Sequence, residues 1–217
     1  EHGLKGFASL TQGSLIIGTT RSFARHLMPG LISRFQEKFS GIKISLEVGS
    51  SSEIAEGVMA FRYDLGVIAR IPLSKRLKAI PYAVEEFCLV VSPDHRFAKS
   101  GVISCRKLLN EPIIIREPGS GSRHTLLSFL SSHGVKPSVL VEAGSVEFIK
   151  EYVIQGRGLS FLYKPEIQWE ARMGLLKPLE IAEGPLLLQT EIVVPAGVNL
   201  SRPSRAFLEL VESLRAS

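Results

Sequence analysis

The chain has 217 residues, 45% hydrophobic and 22% charged, with a formal net charge of +5 and two cysteines. This length suffices for one large domain or two compact lobes, and the composition is that of an ordinary folded, water-soluble protein rather than a disordered or fibrous one. Cys88 and Cys105 are too few for a disulfide framework and lack metal-ligand spacing. No apolar run reaches about 18 residues, and the opening Glu1-His2-Gly3-Leu4-Lys5 lacks the basic-then-apolar layout of an export signal, so a cytoplasmic setting away from membranes is expected.

In chain order, Ser14 to Gly18 predicts a short apolar strand, and Phe23 to Phe39 predicts one amphipathic helix through Leu27, Leu31, Phe35 and Phe39. Lys43 to Val48 alternates as a strand, Ser51-Ser52-Glu53 opens a helix carrying Ile54, Val58 and Phe61, and Asp64 to Ala69 reads as a buried strand. Three strands separated by helices imply a parallel sheet with right-handed crossovers. The basic cluster Lys75-Arg76-Leu77-Lys78 has no interleaved aromatics and reads as a solvated loop rather than a nucleic-acid footprint.

An extended stretch from Leu77 to Val84 leads to an apolar strand, Phe87 to Val91, and then to loop residues Ser92-Pro93-Asp94-His95. A second alternating set follows: strand at Pro112 to Ile115, helix at Ser122 to Ser132, strand at Val139 to Glu142, helix at Val146 to Gln155, and strand at Leu159 to Tyr163, ending at Lys164-Pro165. Leu186 to Val194 is a last strand and Ser201 to Leu214 a last helix, and both are expected to return to the first lobe. The expected fold is α/β, two Rossmann-like lobes with a central cleft, with lobe I formed by residues 13–86 plus 192–217 and lobe II by residues 87–191.

Three hydroxyl-rich segments stand between a predicted strand and a predicted helix: Thr19-Thr20-Arg21-Ser22, Gly49-Ser50-Ser51-Ser52 and Pro118-Gly119-Ser120-Gly121-Ser122-Arg123-His124. Free N–H groups and the helix dipole at such starts attract anions, while the same residues also serve as plain N-caps. Their shared place at strand ends favours an anion site made by Thr20, Arg21, Ser22, Ser50, Ser51, Ser120, Gly121, Ser122 and Arg123. Arg70 and Arg116 are further cations at strand ends, more in keeping with surface groups than with ligand contacts.

Catalytic motifs fail one by one. Gly13 to Thr20 imitates a phosphate-binding loop but has Thr19 where the lysine belongs, Gly119-x-Gly121 lacks the third glycine of a dinucleotide fingerprint, and no GxSxG elbow or HExxH helix occurs. No catalytic residue, metal or cofactor is expected. His26, His95 and His133 read as surface or loop residues, Cys88 as a core residue, and His124 and Cys105 as unassigned.

The stretches Gly13-Ser-Leu-Ile-Ile-Gly18, Leu27-Met-Pro-Gly-Leu-Ile-Ser-Arg-Phe35, Tyr63-Asp-Leu-Gly-Val-Ile68, Leu89-Val-Val-Ser-Pro-Asp-His95, Gly119-Ser-Gly-Ser-Arg123 and Gly156-Arg-Gly-Leu-Ser160 occur in this order over nearly the whole chain. Together they resemble the effector-binding domain of LysR-type transcriptional regulators. Thr19 to Pro29 is locally similar to the branch that senses sulfur metabolites, which implies ligand contacts at Thr20 and Ser22; Phe23 departs from that branch's polar residue. The resemblance further implies a periplasmic-binding-protein type 2 fold, a small anionic effector such as a carboxylate or sulfate, a homodimer or tetramer, and DNA contact only through an N-terminal winged helix-turn-helix absent from this chain. A transporter's solute-binding protein and an enzyme on the same fold are the alternatives, the latter with Glu117, Glu142 and His124 as candidate acid or base groups.

Overall fold

The computed structural model describes residues 12–215, so the opening residues read above for an export signal lie outside the described part. The chain divides into two compact units, one running through Ala83 and resuming at Gln189, the other Val84–Leu188. Each crossing falls three residues earlier than the sequence boundaries of 86 and 191.

The first unit contains β1 (Gly13–Thr20), α1 (Arg21–His26), α2 (Met28–Lys38), β2 (Ile42–Gly49), α3 (Ser51–Met59), β3 (Leu65–Ala69) and α7 (Arg202–Arg215). It shares β4 (Leu77–Val91) and β10 (Leu186–Pro195) with the second unit. Its sheet runs β2-β1-β3-β10, with β2 and β3 parallel to β1 and β10 antiparallel to β3. Parallel pairing requires crossovers, and the helices that supply them bury apolar faces on the sheet. On one side Phe35 lies 4.9 Å from Phe39 and 5.5 Å from Phe207 of α7. A second cluster gathers Ile54, Val58, Ile68 and Val193 under α3.

The paired strand residues Gly18 and Gly66 set the height of α3 above the sheet. A Cβ on Gly18 would meet Ile54 Cγ2 at 2.9 Å, and one on Gly66 would meet the same atom at 2.7 Å. With no side chain at either place the helix lies down on the strands, which brings its N-terminus to their C-terminal ends.

The second unit adds β5 (Val102–Ile103), a 3₁₀ turn (Cys105–Asn110), β6 (Pro112–Arg116), α4 (Gly121–Ser132), β7 (Ser138–Ala143), α5 (Val146–Ile154), β8 (Leu159–Tyr163), α6 (Lys164–Arg172) and β9 (Lys177–Ile181). Its sheet runs β4-β8-β6-β7, with β8 antiparallel to β4 and both β7 and β8 parallel to β6. β9 pairs antiparallel to β4 and parallel to β5. Val90, Ile114, Ile149, Val153, Leu162 and Ile167 form the core beneath α5 and α6.

The structure differs from the sequence reading in several ways. The helix expected from Phe23 to Phe39 is two helices broken at Leu27, because Pro29 has no N–H to donate to the carbonyl four residues earlier. The residues after Tyr163 continue as α6, with Pro165 in the first turn, where its missing N–H costs nothing. The extended stretch and the strand around Phe87 are one 15-residue strand, β4. His95 is not a loose surface group: it sits 3.3 Å from the buried Glu111 and its ring lies 5.1 Å from that of Phe97. Of the basic cluster, Lys75 and Arg76 form an exposed turn as expected, while the buried Leu77 and exposed Lys78 already belong to β4 rather than to a loop.

Candidate functional site

In the first unit, β1 and β2 pair in parallel with Thr20 opposite Gly49, so α1 and α3 start side by side at one end of the sheet. Thr20 is the N-cap of α1, where the Phe23 N–H donates to its hydroxyl at 3.4 Å. Ser50 caps α3 in a reciprocal box: the Glu53 N–H donates to Ser50 Oγ (3.3 Å) and the Ser50 N–H donates to a Glu53 carboxylate oxygen (2.7 Å). The Ser50 N–H first, and then the Ser50 hydroxyl, hold the Glu53 carboxyl below the usual carboxylate range, with Arg21 assisting. Arg21 thus stands near the start of α3 as well as opening α1. Ser22 is half-buried and has partners of its own.

Ser51 differs from its neighbours. It is fully buried and its hydroxyl has no hydrogen-bond partner among the described residues. The Thr190 hydroxyl shares that condition, at 1% residue exposure. Thr190 pairs with Ala69, the last residue of β3, which places it at the same end of the sheet. An unsatisfied buried hydroxyl costs about 1–3 kcal/mol, so these two are the polar side chains of this strand edge that the described residues leave without compensation. Thr190 is not legible as a site residue in the sequence, since a threonine inside an apolar strand looks like ordinary β-propensity. Glu191, beside it, has its carboxyl pushed up by burial, against the pull of Arg70 at 3.4 Å.

In the second unit, β6 leads through Glu117, Pro118 and Gly119 to α4. Ser120 is the N-cap of this helix by position but makes no side-chain cap hydrogen bond. Its hydroxyl lies 2.9 Å from that of Ser122, and both serines are buried. The first-turn N–H groups of α4 therefore lack the side-chain acceptor that α1 and α3 possess, and no acidic residue occupies that turn. Two arginines flank it. Arg116 is buried at the end of β6 with its guanidinium on Glu117 at 2.8 Å, so the surface placement expected of it does not hold. Arg123 donates to the Arg116 carbonyl (3.0 Å) and to Glu142 of β7 (2.8 Å).

The nine residues singled out from sequence thus fall into two groups: Thr20, Arg21, Ser22, Ser50 and Ser51 in one unit, Ser120, Gly121, Ser122 and Arg123 in the other. Ser145, which caps α5 by accepting from the Phe148 N–H at 3.2 Å, is a further hydroxyl start in the second unit. Gly144-Ser145 repeats the Gly49-Ser50 pattern and was legible on that ground. His124 is exposed. Burial pushes the Cys88 thiol up, and burial with Glu183 nearby pushes Cys105 up to about 11, so neither thiol is a ready nucleophile. Among the described residues no three His, Cys, Asp or Glu side chains gather as metal ligands, and no helix is long and apolar enough to cross a membrane.

Residues 8–215 match the family model described as the LysR substrate binding domain. The chain belongs to that family. The HTH-type transcriptional activator CmpR of Synechocystis is 30% identical over 92% of this chain and 66% of its own length. The RuBisCO operon transcriptional regulator of Acidithiobacillus ferrooxidans is also 30% identical, over 92% of this chain and 64% of its own. The LysR substrate binding domain seen here therefore spans about two thirds of the length of the curated relatives it matches. Among solved structures, the regulatory domain of Synechocystis CcmR in complex with 2-PG superposes with a TM-score of 0.84 at 27% identity, covering 94% of this chain and 98% of that one. The effector binding domain of QuiR in complex with shikimate gives 0.87 at 19% identity, covering 95% and 98%, a likeness of fold. The type 2 periplasmic-binding-like fold expected for a LysR substrate binding domain is thus the fold of this chain.

Proposed function

We propose that this LysR substrate binding domain senses a small anion in a transcriptional regulator, and that a DNA-binding segment outside this chain carries the response. The observation that carries the reading is the start of α4, where buried Ser120 and Ser122 leave the helix N–H groups without a side-chain acceptor between two arginines. A helix start of that kind attracts a carboxylate, phosphate or sulfate group. The partnerless hydroxyl of Ser51, next to the capped starts of α1 and α3, supports a second set of donors in the first unit. A ligand that binds one conformation better than another shifts their populations by that difference, which is how an effector acts without being chemically changed.

Calorimetric titration of 2-PG, sulfate and short carboxylates tests this. At least one anion is expected to bind saturably to the wild-type chain. Ser122→Ala is then expected to weaken it by about tenfold, the effect of losing roughly one hydrogen bond to a charged group. Ser51→Ala and Thr20→Ala are expected to weaken any anion that the first unit's own donors hold. Equal affinity in all four proteins overturns the reading.

The domain is further proposed to assemble as a homodimer. Among the described residues β2 and β7 each pair with one strand, and they leave Val48, Val139 and Leu140 between 41% and 52% exposed. Edge strands with apolar side chains facing water invite pairing unless something covers them. Sedimentation is expected to show a species of twice the 23.8 kDa chain mass at micromolar concentration, and Leu140→Lys to shift it toward the monomer. A wild-type chain that sediments as a monomer counts against the assembly.

A further inference from the structure

The second unit holds a cavity of about 560 Å³ that none of the nine anion-site candidates lines. It lies beside β4, β9 and the first residues of β10. Its walls combine Phe87, Leu89, Leu179, Ile181 and Leu186, all nearly buried, with the polar Glu86, Lys164 and Glu180, so the lining is part apolar and part polar. At the rim Glu86 of β4 and Lys164, the first residue of α6, form an ion pair with both side chains more than half exposed. Small-molecule sites have this make-up: a concave apolar body of roughly 300–1,000 Å³ and a few polar groups that fix orientation.

We propose that this cavity is a second small-molecule site, taking a monocarboxylate with a compact apolar body. The ligand's carboxylate displaces Glu86 from Lys164, and its body lies against Phe87, Leu179 and Leu186. Three observations define that class. The rim already seats a carboxylate, that of Glu86, on the Lys164 ammonium. A solvent-exposed ion pair is weak enough to exchange partners, and a helix start favours a negative charge from either source. Next to the rim the wall residues Phe87, Leu179 and Leu186 are apolar. Cys88 also lines the cavity, but its thiol is pushed up by burial and then by Glu86, so it stays neutral and the site binds without reacting.

The position has a regulatory meaning. Glu86 to Leu89 belong to β4 and Leu186 to β10, the two strands by which the chain passes from one unit to the other. A guest in this cavity touches both.

Phenylacetate is a suitable probe, with phenylacetamide as its uncharged counterpart. Calorimetry is expected to give saturable binding to the wild-type chain. Lys164→Met is expected to weaken it by about tenfold, and Glu86→Gln to strengthen it about threefold, because the resident competitor is removed. Both changes are at exposed positions, and thermal melts confirm that the variants fold. The proposal is overturned if phenylacetate does not saturate either wild type or Glu86→Gln, if Glu86→Gln does not tighten it, or if phenylacetamide binds as well as the acid. It is also overturned if Ser122→Ala abolishes phenylacetate binding while Lys164→Met leaves it intact, since the probe would then occupy the anion site. Loss of anion binding in Ser122→Ala with phenylacetate unaffected separates the two sites.

Discussion

Lys150→Met is expected to lower the stability of the domain by about 3–4 kcal/mol, read from urea denaturation at neutral pH. Lys150 sits on α5 with 11% of its side chain exposed, 2.7 Å from the equally buried carboxylate of Glu170 on α6. Its ammonium also donates to the Glu166 carbonyl at 3.1 Å. Taking the lysine away leaves a carboxylate whose second oxygen, Oε2, already has no hydrogen-bond partner among the described residues. An uncompensated buried charge is far more expensive than the pair was favourable, so the cost comes from Glu170 rather than from a lost attraction. The double variant Lys150→Met/Glu170→Leu is therefore expected to recover most of the loss. A single variant within about 1 kcal/mol of wild type would show that water reaches this pair.

Gly158→Ala is expected to cost about 3 kcal/mol or more. Gly158 precedes β8 with φ +142°, a region that L-residues rarely adopt, and a Cβ there would lie 2.4 Å from the Pro112 carbonyl oxygen. The obstacle is backbone. Pro112 opens β6, whose Ile113 pairs with Leu159, so relief requires the two central strands of the second unit to separate. Gly101→Ala is the control. Its φ is +68°, but nothing lies within 4 Å of the added carbon, and it is expected to cost only about 1 kcal/mol. Equal losses in the two variants would mean that dihedral strain alone, rather than the close approach, governs Gly158.

The Lys150–Glu170 pair also shows why α6 was not legible in the sequence. From Lys164 to Arg172 the helix has one aliphatic core residue, Ile167; it seats the rest of its inner face through Glu166 and Glu170, which a hydropathy pattern assigns to solvent. Pro165 then reads as a terminator, although proline is equally at home in a first turn. β9 was hidden in a similar way, by Pro178 in a short strand with only Leu179 and Ile181 turned inward. Elements with clean periodicity were readable almost to the residue: β8 occupies Leu159–Tyr163, as the apolar run predicts, and α4 starts one residue before the expected Ser122. The hydroxyl-rich helix starts were legible because glycine and serine after an apolar strand have a local meaning. Arg116 and Thr190 were not, because their burial is decided by strands far away in the chain.

The glycine floor under α3 extends the map of sensitive positions beyond the donors themselves. A methyl group on Gly18 or Gly66 would push Ile54 outward and raise the helix, carrying Ser50 and Ser51 away from the ends of β1 and β2. If the proposed anion is held at this sheet end, a screen for variants that no longer bind it is expected to select strand glycines alongside serines and threonines. Residues at which only hydrogen is tolerated can decide how well a guest is held while never meeting it.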